Sequence, residues 1–318
     1  MVAPMDWLSR LLDMMPVTGR LEIRCFYAAP WRIAYDASQP GVLPYHVVLS
    51  GSALLESSSG GPPKRLAAGD ILVLATGDAH ILHDGSGIAP GPAAYRPGLN
   101  YTISENAGSG ERLDLLCGHF TIPRPHDRLM REYLPPQLIV RSSLQNQGDG
   151  TTAVGTQLAN LVALMRSESD IERLGGVAML NAFSAALFTL SLRLASESKE
   201  NPPGLLALAG HPRLTPALAA MYHNPAHAWT LPELAALCNM SRATFARHFQ
   251  EKLGRSANDL LLDIRMTLAA NELRKPGAST AAVAEAAGYQ SEAAFQRIFK
   301  QKMGVTPSQW RRTTQKME

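Results

Sequence analysis

The sequence predicts an α+β chain of two domains: a strand-rich front with a helical extension, then an all-α domain holding two helix-turn-helix units. Three observations predict it. Apolar residues alternate in short runs over residues 20–122, with turn residues between the runs. Beyond Pro125 the apolar period changes to 3.6. In the last third, a nine-residue segment recurs at an offset of 50. At 318 residues with 46% apolar side chains, the chain is long enough for two cores.

The expected strands are Leu21–Phe26, Tyr45–Leu49, Ala53–Glu56, Ile71–Leu74 and Leu113–Phe120. Turn clusters at residues 57–63, 77–78 and 84–92 separate them, a spacing that suits an antiparallel barrel or sandwich. The Gly- and Pro-rich stretch Ala89–Gly110 reads as a long loop, and Met1–Met15 as a short amphipathic helix. Two longer helices follow, at Val154–Arg166 and about Arg173–Ser196. The second is apolar around much of its circumference, so another element or another subunit must cover it. Either it packs on the barrel or the pair forms a dimer interface. Asn201-Pro202-Pro203-Gly204 ends this region, and the expected domains are residues 1–204 and 205–318.

In the repeat, Ser241-Arg242-Ala243-Thr244-Phe245-Ala246-Arg247-His248-Phe249 is echoed by Ser291-Glu292-Ala293-Ala294-Phe295-Gln296-Arg297-Ile298-Phe299, and Gly254 by Gly304. Each copy has the parts of a helix-turn-helix, over about 231–251 and 280–301. A short alanine-rich helix (Leu231–Cys238; Ala281–Ala287) is followed by a turn, at Asn239-Met240 or Gly288. A serine then caps the second helix. The phenylalanines, four apart, form the inward stripe. Arg242, Ala243, Ala246, Arg247 and Gln250 face outward in the first copy; Glu292, Ala293, Gln296, Arg297 and Lys300 do so in the second. A helix fits the major groove of duplex DNA, where guanidinium forks and amides read base edges and small alanines allow close approach. An amphipathic helix over Asn258–Arg274 joins the units and is expected to set them in successive grooves.

Charge supports a polyanion partner for this half. Leu205–Glu318 carries 14 Lys and Arg against 8 Asp and Glu, whereas the first 204 residues carry 16 against 19. No apolar run approaches the ~20 residues that cross a bilayer, and the N-terminus lacks the pattern of a secretory signal. Three cysteines make no disulfide framework. A cytoplasmic chain without membrane partners is expected.

From Pro212 to Arg312 the sequence resembles AraC-type transcription regulators. The resemblance rests on Trp229-Thr230, Met240-Ser241-Arg242, Ala286-Ala287-Gly288-Tyr289-Gln290-Ser291-Glu292 and Gly304-Val305-Thr306-Pro307-Ser308-Gln309-Trp310-Arg311. It implies promoter DNA and RNA polymerase as partners, and usually activation. The front half is similar to the cupin-type sensor domain of one AraC branch, through Gly69–His80, and His211-Pro212-Arg213 and Tyr222-His223-Asn224-Pro225 in the second half also resemble this branch. Ala75 stands where that motif usually has proline.

Cupin enzymes hold a metal through histidines and a carboxylate. Here the first motif is eroded to His46, with Glu56 at an unsuitable spacing, and His80 alone carries over cleanly. With His83 or His119 as neighbours, His46 and His80 would suit Zn²⁺ or Fe²⁺; otherwise they are polar barrel residues. A metal-dependent oxygenase or isomerase with accessory helices is the alternative to a regulator. Cys25 and Cys117, each in an expected strand, are placed as in the reactive-chlorine-responsive group of this branch, which implies cysteine oxidation as the signal. Arg24 and His119 flank them in sequence, and strand alternation leaves open whether the thiols share a face. An organic ligand touching Trp31, Tyr35 or Tyr45 is a third reading of the sensor. Cys238 is expected to be packing.

Overall fold

The computed structural model describes residues 6–58, 60–123, 126–142, 153–171, 173–198 and 204–314. Its strands are β1 Thr18–Ala28, β2 Arg32–Tyr35, β3 Val42–Ser50, β4 Ser52–Ser57, β5 Lys64–Ala67, β6 Asp70–Leu74, β7 His80–His83, β8 Ala94–Pro97, β9 Thr102–Glu105, β10 Arg112–Thr121 and β11 Gln137–Arg141. The helices are α1 Trp7–Met14, α2 Asp127–Tyr133, α3 Ala153–Asp170, α4 Gly176–Glu197, α5 Leu205–Ala209, α6 Thr215–His223, α7 Leu231–Leu237, α8 Arg242–Leu253, α9 Ala257–Arg274, α10 Thr280–Ala286, α11 Glu292–Met303 and α12 Pro307–Thr314. These elements sort into two compact units.

The first unit spans Val17–Pro123 and Leu134–Ser198. A seven-stranded sheet, ordered β11-β6-β3-β10-β1-β9-β8, and a four-stranded sheet, β2-β7-β4-β5, enclose its core. Cys25, Val48, Leu72, Leu115 and Cys117 from the first sheet meet Ala53, Leu55, Leu66 and Leu82 from the second, all nearly shielded from water. Pairing is antiparallel except for β9, which runs parallel to β1. The stretch expected to be a long loop, Ala89–Gly110, therefore carries two strands. Its Gly and Pro residues mask the short alternation of Thr102–Glu105, which is half buried against β1. The helical pair folds back on the outside of the larger sheet, α4 against β1 and α3 against α4. The Tyr45 hydroxyl meets Ser184 Oγ at 2.7 Å, and the rings of Phe120 and Phe188 pack 4.8 Å apart. The barrel thus covers one side of α4. Its 22 residues, with a mean hydropathy of 1.5 over an 18-residue window, are long and apolar enough to cross a membrane by length and composition, against the sequence expectation of no such run.

The second unit gathers Met1–Pro16, Arg124–Tyr133 and Lys199–Glu318. Two segments that precede Gly204 thus belong to the same compact unit as the C-terminal helices. The N-terminal helix α1 buries Leu8, Leu11 and Met14 and packs against α6 and α9, where Asn271 Nδ2 donates to the Met14 carbonyl at 2.8 Å. Helix α2, which lies in sequence between two barrel strands, joins the same unit through the Tyr133 hydroxyl, 2.6 Å from Asp263 Oδ2 on α9. Apolar faces whose partners lie more than a hundred residues away carry no local mark of where they dock.

The repeat folds as two equivalent helix pairs, α7–α8 and α10–α11. Ser241 and Ser291 cap the second helix of each by accepting from the backbone N–H three residues on. Gly254 and Gly304 end those helices in the left-handed region, with φ of 81° and 77°, which explains why the echo extends to them. Gly288 has φ of 80°, and a Cβ there would lie 2.3 Å from the Ala226 carbonyl oxygen. Phe245, Phe249, Phe295 and Phe299 are all buried. Around the second pair, Met266, Leu273, Val283 and Ala284 complete the core. Capping boxes at Thr230/Glu233 and Ser256/Asp259 start α7 and the connector α9.

Candidate nucleic-acid interface and redox centre

The serine caps fix where α8 and α11 begin, and each phenylalanine pair fixes the rotation of its helix. Everything on the opposite face is consequently solvent-facing. The two ten-residue segments 241–250 and 291–300 share one burial pattern, residue for residue. Arg242, Ala243, Ala246, Arg247 and Gln250 are exposed on α8, as are Glu292, Ala293, Gln296, Arg297 and Lys300 on α11. An open groove of about 500 Å³ lies along the start of α8, lined by Leu231, Ser241, Arg242, Ala243 and Ala246. Not all these side chains are equally available. Gln250 Nε2 donates to the Gly254 carbonyl at 2.9 Å, folding the amide onto the helix end. Gln296 Nε2 donates to Glu292 Oε1 at 2.8 Å. Arg247 approaches Glu251 only to 3.9 Å, with both largely in water, so its fork is held weakly. Replacing Arg247 with alanine is expected to weaken specific duplex binding by about 1–3 kcal/mol, measured by fluorescence anisotropy. Unchanged affinity and footprint would remove it from the interface.

In the barrel, Cys25 and Cys117 point into the same core. Their partners in the ladder are Cys25↔Leu115 and Ile23↔Cys117, which makes the cysteines diagonal neighbours. A register shift between Leu21 and Ile23 helps bring them onto one face, and the sulfurs lie 3.9 Å apart. Around Cys117 Sγ stand His46 Nδ1 at 3.2 Å and the Tyr35 hydroxyl at 3.5 Å. His46 Nε2 lies 2.8 Å from His80 Nε2, and His80 Nδ1 lies 3.1 Å from the Asp78 carbonyl oxygen. Tyr35 stacks on the His80 ring, centroids 4.7 Å apart.

Hydrogen-bond logic assigns every proton in this chain. A carbonyl only accepts, so His80 Nδ1 carries hydrogen and its Nε2 is bare. His46 Nε2–H then donates to it, which leaves His46 Nδ1 bare to accept from the Cys117 thiol. Both imidazoles are neutral in this scheme, and burial holds both below the usual histidine range. Burial also pushes the Cys117 thiol well up. Within the core, the acceptor that this proton faces is His46 Nδ1.

The other expected ligands go elsewhere. His83 Nε2 sits 3.4 Å from Glu56, which also pairs with Arg32, and His119 Nδ1 sits 3.1 Å from Glu22. His46 and His80 spend their facing nitrogens on each other, and among the described residues no three His, Cys, Asp or Glu side chains are arranged to hold a metal ion. The pair does not fit a cupin Zn²⁺ or Fe²⁺ centre, which needs at least three protein ligands. The proposed ligand contacts divide similarly. Trp31 stacks on Tyr27 inside the core and Tyr35 attends the thiol, but Tyr45 faces α4 through Ser184. Cys238 is buried in the helical unit, and burial raises its thiol pKa.

The flanking residue Arg24 points away from the cysteines. Its guanidinium, 3% exposed, grips Asp114 through Nε (3.0 Å) and Nη2 (2.8 Å). It also reaches Ser169 Oγ at 2.9 Å and Asp170 at 2.7 Å, at the end of α3. Nothing in the sequence pairs these residues, because 90 and 145 positions separate Arg24 from Asp114 and Ser169.

A cupin family profile matches residues 6–197, and a helix-turn-helix domain profile matches residues 234–313. An uncharacterized HTH-type transcriptional regulator of Haemophilus influenzae is 28% identical over 310 residues, covering 97% of this chain and 99% of that one. The RCS-specific HTH-type transcriptional activator RclR of Escherichia coli is 27% identical over 311 residues, covering 96% and 97%. The HTH-type transcriptional regulator MtrA of Neisseria gonorrhoeae is 28% identical over 318 residues, covering 97% and 98%.

Proposed function

Since the chain belongs to the cupin family and carries an AraC-type helix-turn-helix domain after its barrel, it is a DNA-binding transcription regulator, and we propose that the barrel senses an oxidant through Cys25 and Cys117. One observation carries this reading: two buried thiols 3.9 Å apart, one of them hydrogen-bonded to an imidazole. The likeness to an activator described as RCS-specific supports it.

The chemistry uses hypochlorous acid as oxidant. As the Cys117 sulfur attacks chlorine, its proton passes to His46 Nδ1 and from there to the leaving hydroxide, which departs as water and leaves both imidazoles neutral. The product is a sulfenyl chloride. The Cys25 thiol then displaces chloride, closing a disulfide and releasing a proton to the histidine pair. Diagonal strand neighbours are ~7–8 Å apart at Cα, beyond the span of an unstrained disulfide. Closure therefore moves β1 against β10, and this movement is the signal.

The barrel is read as non-catalytic, because His46 and His80, which stand at the thiol, bond each other. Promoter duplex is the ligand of α8 and α11, RNA polymerase the partner recruited there, and activation the outcome. A second copy is the occupant of the apolar surface on α3, α4 and their connection, where Leu164, Ile171, Leu174, Val177 and Met179 lie exposed. Action on a promoter puts the protein in the cytoplasm.

Promoter affinity should shift at least several-fold after one equivalent of hypochlorous acid in the wild type, and in neither Cys25→Ala nor Cys117→Ala. Peptide mapping without reductant should find the Cys25–Cys117 bond. Equal responses in all three proteins would make the thiols structural. Stoichiometric zinc or iron lost on substituting His46 or His80 would overturn the proton assignment.

A further inference from the structure

The two recognition helices are equivalent in fold and differ in chemistry. At the offset of 50, Arg242 corresponds to Glu292 and Ala246 to Gln296, whereas Ala243/Ala293 and Arg247/Arg297 are unchanged. Among the outward positions of α11 that differ from α8, Glu292 and Gln296 are hydrogen-bonded to each other, Gln296 Nε2 to Glu292 Oε1 at 2.8 Å. Both residues are exposed, one turn apart, beginning at the first residue of the helix. We infer that Glu292 is a positioning residue that orients Gln296 to read adenine, so the two halves of the operator carry different bases: guanine under α8 and adenine under α11. This rests on the reading that α11 enters a major groove.

A carboxylate accepts only, so the glutamine must offer it an amide hydrogen, and the amide cannot flip without losing that bond. One of the two amide hydrogens is used. The other, together with Oε1, remains available on the outward side. Those two groups match the Hoogsteen edge of adenine, with Oε1 accepting from N6–H and the free N–H donating to N7. A guanine in the same place would set its O6 against Oε1, acceptor against acceptor, and the nearby negative charge of Glu292 would sharpen the rejection. The second carboxylate oxygen also favours a base with an exocyclic amino group. On α8 the residue corresponding to Glu292, Arg242, only donates, which selects the two acceptors of guanine. Fixing the amide in advance reduces the rotamer freedom lost on binding.

The test uses the full-length protein and an operator obtained by selection from a randomised duplex pool, with the protected bases mapped. In the half protected by α11, one A·T pair is expected whose replacement by G·C weakens binding about 5- to 100-fold. Changing that adenine to 7-deazaadenine, which deletes N7, should cost a smaller factor. Gln296→Ala should abolish both penalties. Glu292→Ala should reduce them while leaving the melting temperature and the guanine preference of the first half unchanged. Equal penalties in wild type and Glu292→Ala, or tolerance of every base in that half, would overturn the inference while leaving groove entry intact. A second half without protection, with affinity unchanged in Arg297→Ala, would overturn the groove reading and this inference together.

Discussion

Replacing Arg24 with alanine is expected to destabilise the barrel unit by about 3–5 kcal/mol, the usual cost of breaking a buried ion pair from one side. Asp114 is 7% exposed, and the substitution leaves its carboxylate in the sheet without a counter-charge. Burial by itself would lower the pKa of Arg24, but the hydrogen bonds and charges of Asp114 and Asp170 more than reverse this and raise it. The guanidinium therefore stays charged, and the cost is electrostatic as well as steric. Urea unfolding followed by near-ultraviolet circular dichroism measures the loss. A double replacement, Arg24→Met with Asp114→Leu, should recover most of it, because an apolar pair needs no desolvated charge. If the single variant loses less than about 1 kcal/mol, the pair is effectively hydrated and the clasp adds little.

Asp263→Ala is the corresponding experiment in the helical unit, and a loss of about 3–5 kcal/mol is again expected. The carboxylate is 4% exposed. It accepts from Lys302 Nζ at 2.8 Å and from the Tyr133 hydroxyl at 2.6 Å, with Arg128 at 3.7 Å and Arg255 at 4.0 Å. Burial raises the pKa of Tyr133, and its bond to Asp263 raises it further, so this phenol remains a donor at any physiological pH. Asp263 thus joins α2, the connector α9 and α11. Its removal should lower the melting temperature and also weaken duplex binding, because α11 is held through Lys302. Asp263→Asn keeps the shape and loses the charge, and should fall between the two. A variant that melts like the wild type would show that its partners find other acceptors.

Both sites were invisible in the sequence for the same reason. Arg24 and Asp114 look like ordinary charged residues in a strand-rich region, Asp170 like one at the end of a helix, and Asp263 like one polar position on an amphipathic helix. Their meaning depends on which distant residue they meet. The cysteines are an intermediate case. That Cys25 and Cys117 lie in strands follows from alternation, but their shared face depends on the register shift near Glu22. Tyr35 was legible only as an aromatic residue suited to a ligand, and it stands instead at the thiol.

The DNA-binding half was legible almost to the residue. A repeat at constant offset, serine caps, phenylalanines four apart and terminal glycines are local signals, set by helix geometry within a dozen residues, and all reappear in α8 and α11. The sequence by itself therefore determined the paired helix-turn-helix units, their outward faces and the strand-rich character of the front. Only the tertiary structure decided that α1 and α2 belong with the C-terminal helices, that Ala89–Gly110 contains two strands, and that His46 and His80 bond each other and a thiol. Local backbone preferences act over a few residues and are written consecutively. Contacts across more than thirty residues are chosen by the packing of the whole unit, so no short stretch of sequence records them.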